Sequence, residues 1–433
     1  MRSAVFTPIE RTRMNDAAAT AESTTPPAEV ARLLSAGEVR LRANRLFDLA
    51  LMDRLDHFTV DLGRLDLVAV LVERAIRSEH PTLAVPPHAR WRAFEAGACD
   101  RWGMLAGARD WESPLELGRA AIDLVTAAVF LDARPGPQWS YAEAETGESW
   151  GRSEGLAVAT FVMFSSGVFS TEPFDPLRVD ARALTGLTAE ELADGFQASA
   201  SNPLLGLDER LALLNRLGLR LAQRTDVFGS GESARPGGLL DHLLARFPDG
   251  RVSAPVVLET LLDALGPIWP GRWSLSGVPL GDTWLHPRLV TEDDTSGLMP
   301  FHRLAQWLTL SLVEPLAWAG LEVVGLDGLT GLADCWNGGL LVDTGVLRPR
   351  DPARFAAPRP VDDEAIVEWR ALTVALLDRL AGIVRQMIGR NAMNFPLTCV
   401  LEGGTVAAAR RLARELRSDG APPIRSEGDG LIV

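Results

Sequence analysis

The stretch GLMPFHRLAQWLTLSLVEPLAWAGLEVVGLDGLTGLADCWNGGLLVDTGVL, from Gly297 to Leu347, decides how this chain is read. Behind Pro300 its apolar residues predict a helix with His302, Arg303 and Gln306 on the first turns. The pattern then breaks into a Gly-rich segment that holds Asp334 and Asp343 among apolar residues. Cations at one end, carboxylates at the other, and Trp307, Trp318 and Trp336 nearby make this the best candidate pocket wall in the sequence.

The rest of the 433 residues fits a mainly α protein. Residues 1–27 are polar and small-rich, and read as a flexible tail. Residues 28–433 read as one large, two-lobed helical domain with short strands and ordered Trp/Pro/Gly-rich loops. Helices are predicted from about Ala28, over Val60–Arg77, from Pro114 to Leu131, over Leu205–Gln223, over Ser253–Leu265, and from Thr405 to Arg417. Ser113-Pro114-Leu115-Glu116 and Thr188–Glu191 each spell a capping box. Asp362 is placed as the cap of a helix of about 28 residues, roughly 40 Å long. Its length suits a spine or a face for a second copy of the chain. Thr82–Trp111 reads as loop, with His88, Arg90, Arg92 and Arg101 among tryptophans. Arg stems packed on Trp faces explain that cluster better than a phosphate site does.

Composition removes several function classes. A net charge of −14 argues against a nucleic-acid partner, which needs a basic footprint. All 43 cations are Arg, so Schiff-base and P-loop lysines are absent. Three distant cysteines, Cys99, Cys335 and Cys399, suit reduced thiols in a cytoplasm. No apolar run reaches the ~20 residues a membrane helix needs. The six histidines form no HExxH or HxH pair, so neither a metal nor another cofactor is expected. What remains is carboxylates in apolar surroundings. These are Asp132, Asp334 and Asp343, with Glu154 and Glu314, and the residues by themselves do not rank them. Glu154 lies just after Arg152 at the start of an apolar helix, where an acid is already explained by the helix dipole. Trp139 and Phe301 are candidate pocket walls, and His302, Arg303 and Arg152 candidate anion contacts.

Several blocks resemble the uracil-catabolism protein family of fungi and bacteria. They are RSEGLAVATF (152–161), LLDHLL after RPGG (235–244), FHRLAQWLTLSLVEPL (301–316), GLTGLADCWNGGLLVDTGVL (328–347), LEGGTVAAARRLA (401–413) and GAPPI (420–424). Where the family pattern has Pro, an acid, an aromatic and Arg before NGG, this chain has Ala333, Asp334, Cys335 and Trp336. The acid is kept and the Arg is lost. A fainter similarity joins HRLAQ (302–306), LTGLAD (329–334) and GVL (345–347) to the queuosine-salvage nucleotide N-glycosylases, whose fold resembles helix-hairpin-helix DNA glycosylases. That similarity implies a catalytic carboxylate at Asp334, phosphate or ribose contacts from His302 and Arg303, and support from Gln306.

These resemblances imply hydrolysis of the N-glycosidic bond of a small uracil-derived riboside or its 5′-phosphate, such as a ribosylurea phosphate that releases urea. A fixed carboxylate suits that chemistry, because the transition state carries positive charge on the sugar. Two rivals belong to other classes. One is ring-opening or amide hydrolysis of an earlier pyrimidine intermediate. The other is a non-enzymatic helical scaffold for the degradation pathway.

Overall fold

The axis of the fold is the 25-residue helix Glu364–Ile388. In the computed structural model, which describes residues 26–269 and 273–427, every residue from Ala365 to Leu377 is buried. A helix covered all round belongs at the centre of a core. Its cap is Asp363 rather than Asp362, because the Asp363 carboxylate accepts from the Ala365 N–H. Gly389, in the left-handed conformation, ends it. The first 25 residues of the expected tail lie outside the described residues.

The helices that carry the argument are numbered in chain order. They are α1 (Ala36–Leu51), α2 (Leu65–Glu79), α3 (Pro114–Phe130), α4 (Arg152–Ser165), α5 (Arg303–Trp318), α6 (Cys335–Asp343), α7 (Glu364–Ile388) and α8 (Val406–Leu416). The first two pack on α7, and α6 sits between α7 and α8. Helix α5 lies along α3. Gly118 lets those two approach, since a Cβ there would stand 2.6 Å from the Ala319 Cβ. Strands are two or three residues long and form two-stranded pairs only, so the described residues are mainly α. The pair Phe58–Val60 with Leu347–Pro349 ties the N-terminal third to the end of the Gly297–Leu347 stretch. No helix among the described residues is long and apolar enough to cross a membrane.

Three local expectations change. The Gly-rich segment contains a helix, α6, where breakers were read. Its glycines serve close packing: a Cβ on Gly338 would lie 2.4 Å from the Trp369 ring, and one on Gly339 2.9 Å from Pro423. The Thr82–Trp111 loop contains short helices, Trp91–Phe94 and Arg101–Ala108. Only the Thr188 capping box is complete. Ser113 does cap α3, but the Glu116 side chain turns to Arg235 and Arg119, whose charges compete for it.

Candidate active site

Asp334 is delivered by a stitched loop. The Gln306 side chain, on α5, donates to the Phe301 carbonyl and the Thr330 hydroxyl, and accepts from the Thr330 N–H at 2.8 Å. This amide holds the 329–334 segment against α5. Asp334 then caps α6. Its Oδ1 accepts from the N–H groups of Trp336 and Asn337, both at 2.8 Å, and its Oδ2 accepts from Asn337 Nδ2 at 2.8 Å. The carboxylate is thereby fixed in direction, with acceptor capacity left on Oδ2.

Contacts and sequence neighbours lead from Asp334 through the turn after α3, α4 and α8 back to α6. The neighbouring Cys335 thiol is pushed up by burial and by the Asp334 charge, while Arg134 and Arg303 pull it down. Arg134 follows Asp132 in the turn after α3. That turn is held by buried Arg210, which donates to the carbonyls of Leu131 and Ala133. Asp132 accepts from the Ser153 hydroxyl at 2.7 Å and faces Arg90 Nη1 at 3.2 Å. Glu154, next to Ser153 on α4, pairs with Arg410 of α8 at 3.0 Å. The Arg410 guanidinium lies 5.6 Å from the Trp336 ring, which leads back to α6.

One face of α5 lines the same region. Arg303, Trp307 and Ser311 are four residues apart and share a side of the helix. The Ser311 hydroxyl accepts from the Arg90 N–H at 3.0 Å. The rings of Trp307 and His88 are 4.5 Å apart, and His88 Nδ1 bonds Glu402 in the one-turn π-helix Leu401–Thr405.

Several donors of this region are unused. Arg90 is only 1% exposed, yet its Nε and Nη2 have no hydrogen-bond partner. Arg303 Nε, Trp307 Nε1 and Arg410 Nε are likewise buried and unpartnered. Burial pushes the Arg90 guanidinium down, and the charges of Asp132 and Glu154 support it. Buried guanidinium donors left open are costly unless something accepts from them. The arrangement fits an anionic, oxygen-rich ligand. Arg152 and His302, at the starts of α4 and α5, both have left-handed φ, of 56° and 48°.

The sequence candidates divide by placement. Asp334, Asp132, Glu154 and Arg303 stand in or beside this region, and Arg152 opens α4, exposed, next to it. Asp343 is at the far end of α6, about 12 Å along the axis, and is clamped by both Arg417 nitrogens. His302 turns inward: its Nε2 donates to the Leu33 carbonyl at 2.7 Å, and burial pushes its pKa down, so it anchors the N-terminal helix as a neutral ring. Phe301 is buried under the Arg370 guanidinium, 3.9 Å from the ring centre. Arg370 pairs with Asp282, which also accepts from the Arg303 N–H. Trp139 is buried, with its N–H on the Phe196 carbonyl. Arg90, Arg134, Ser153 and Arg410 were missed as members of a site. Arg90 was visible only as one of several Arg among Trp, and nothing in its local pattern says that its neighbours leave its donors open.

Fold and site together describe a mainly α protein with a capped carboxylate and nearby arginines. The chain belongs to the family described as "Protein of unknown function (DUF1688)", whose model matches residues 32–433. It is 37% identical over 419 residues to Protein urg3 of Schizosaccharomyces pombe, covering 93% of this chain and 98% of that protein. It is 34% identical over 415 residues to Uracil catabolism protein 4 of Lachancea kluyveri, covering 87% of this chain and 92% of that protein.

Proposed function

We propose that this protein acts in uracil degradation as a hydrolase of the N-glycosidic bond of a uracil-derived riboside 5′-phosphate, with a ribosylurea phosphate as substrate and urea as leaving group. The pathway rests on the name of a relative matched over most of its length. The chemistry rests on one observation: a carboxylate fixed by two backbone N–H groups lies beside Cys335, whose thiol also feels the charges of Arg134 and Arg303.

In this reading, Asp334 is the carboxylate that faces C1′. Leaving-group departure puts positive charge on the sugar, and a negative group already locked in place stabilises it without reorganising. The Oδ2 atom, still able to accept, orients the attacking water and takes its proton. Arg90, Arg303 and Arg410 supply unused donors for the 5′-phosphate, the oxygen-rich anion that best satisfies several guanidinium groups. Trp336, under Arg410, and Trp307 are the flat apolar surfaces available to the sugar. Burial pushes the Cys335 thiol up, which argues against a thiolate nucleophile at neutral pH.

The test is urea release. Purified protein is incubated with ribosylurea and with its 5′-phosphate. Urea from the phosphate, and little from the free riboside, is the expected result. No urea from either, with turnover of an intact pyrimidine nucleotide instead, would move the protein to a ring-opening step. Silence on all three would leave the scaffold reading.

A further inference from the structure

Helix α7 carries a second cluster of chemistry-bearing side chains, which shares no residue with the Asp334 site. Glu364 and Glu368 are four residues apart and project from the same face of α7, in its first two turns. His57, from the turn that enters the Phe58–Val60 strand, reaches the same place. One ligand atom from each of His57, Glu364 and Glu368 lies within 4.8 Å of the others. Donors about 2.1 Å from a shared ion stand at most about 4.2 Å apart. The three atoms are therefore within a small rotamer adjustment of coordination distance.

Two observations point to a cation at this place. First, His57 Nε2 is buried and has no hydrogen-bond partner, although it stands 3.4 Å from Glu364 Oε1. A solvent-shielded imidazole nitrogen beside two carboxylates has the geometry of a ligand atom waiting for an acceptor of its lone pair. Second, Glu368 is completely buried and, among the described residues, no Arg pairs with it. Its Oε1 accepts from the N–H groups of His57 and Phe58 at 3.2 and 2.7 Å, which fixes the carboxylate in direction. Its Oε2 faces His286 Nε2 at 3.4 Å. His286 Nδ1 lies 3.3 Å from the Arg288 N–H. Arg288, whose charge reaches Glu364 and Glu368, is already held bidentately by Asp56. A buried carboxylate with no arginine partner is costly, and a bound cation relieves that cost.

We infer that His57, Glu364 and Glu368 form a binding site for one divalent transition cation of the zinc or manganese kind. One imidazole with two carboxylates matches those ions better than the all-oxygen sets of magnesium or calcium. His286 is the supporting hydrogen-bond partner of the Glu368 ligand, the arrangement that orients carboxylates in metal sites. Glu364 keeps a 34% exposed side chain and His57 a 16% exposed one, so the ion has a path from solvent and room for water as a further ligand. The site would bind the N-terminal third of the chain to the central helix across 307 residues of sequence separation between His57 and Glu364. It neither requires nor supports the glycosidase reading.

The experiment is titration of the chelator-treated full chain with ZnCl2, MnCl2 and, separately, MgCl2, followed by calorimetry and by thermal melting. One equivalent of zinc or manganese, with a melting temperature that rises on addition and little response to magnesium, is the expected result. His57→Gln and Glu364→Gln, which change groups near the surface, should weaken binding at least about tenfold and abolish the thermal gain. Both should fold as the wild type does without metal. Asp334→Asn should bind metal as the wild type does. Absence of any heat or thermal shift at about 0.1 mM metal, or unchanged binding in both glutamine variants, would overturn the assignment.

Discussion

Asp334→Asn separates two jobs that one side chain holds. The carboxylate caps α6, and in the proposed chemistry it also stabilises the sugar cation. Asparagine is as good an N-cap as aspartate, so its Oδ1 keeps the bonds from Trp336 and Asn337. What is lost is the charge at the helix N-terminus, about 0.5 kcal/mol. The new amide also meets Asn337 Nδ2, donor against donor, where Oδ2 accepted at 2.8 Å. Asn337 Oδ1 has no partner and can turn to accept, although that forfeits the 3.1 Å bond from Nδ2 to the Leu332 carbonyl. The net stability cost is about 1 kcal/mol. Alanine removes the cap and strands two N–H groups, a cost of about 2–3 kcal/mol. Turnover should behave differently. Loss of the fixed charge should lower kcat about a thousandfold, equivalent to about 4 kcal/mol, in both variants. The assay is urea release from ribosylurea 5′-phosphate at saturating substrate, beside chemical denaturation of each variant. If Asp334→Asn keeps a kcat within about fivefold of wild type while alanine loses stability, Asp334 is a helix cap and the catalytic assignment fails.

Three further expectations follow from specific contacts. Arg90→Gln should raise KM for the 5′-phosphate by about 10–100-fold, from charged hydrogen bonds of about 1.5–3 kcal/mol, and leave binding of the free riboside unchanged; equal effects on both would remove the phosphate from that guanidinium. Gly338→Ala should destabilise the chain by about 2–3 kcal/mol, read by denaturant melting, because its Cβ would stand 2.4 Å from the buried Trp369 ring; a neutral result would show that α6 is loosely seated. Glu143, bonded to Arg101, is held down to about 2. A depressed carboxylate pKa contributes stability above its unfolded value near 4.3 that is lost as pH falls toward 2, so the folded state should lose about 3 kcal/mol across that window. The acid limb of Glu143→Gln should be flatter by the same amount, and an unchanged limb would assign acid unfolding to other groups.

How much of this was legible in advance depends on how local each signal was. Apolar periodicity placed α3, α5 and α7, and the Thr188 box was read from its two polar residues. The glycines of NGG were misread as helix breakers because their purpose lies elsewhere in the chain. Trp369 and Pro423 need the space, and neither is near Gly338 or Gly339 in sequence. Asp334 was singled out by the resemblance of LTGLAD to a family motif, which is a local pattern. Arg90, Arg134 and Arg410 were not, since an arginine with open donors has the same sequence appearance as one packed on tryptophan.

The sequence by itself determined the mainly α character and the family resemblance. These depend on periodicity, composition and short motifs, which survive without knowledge of neighbours. Only the tertiary structure decided that Asp334 caps α6, that His302 and Phe301 turn inward, and that His57 meets Glu364 and Glu368. Those outcomes depend on which hydrogen-bond partners and charges are brought within a few ångströms by packing against α7. Desolvation then makes each unpaired donor or carboxylate matter, and that cost exists only once the core has closed around it.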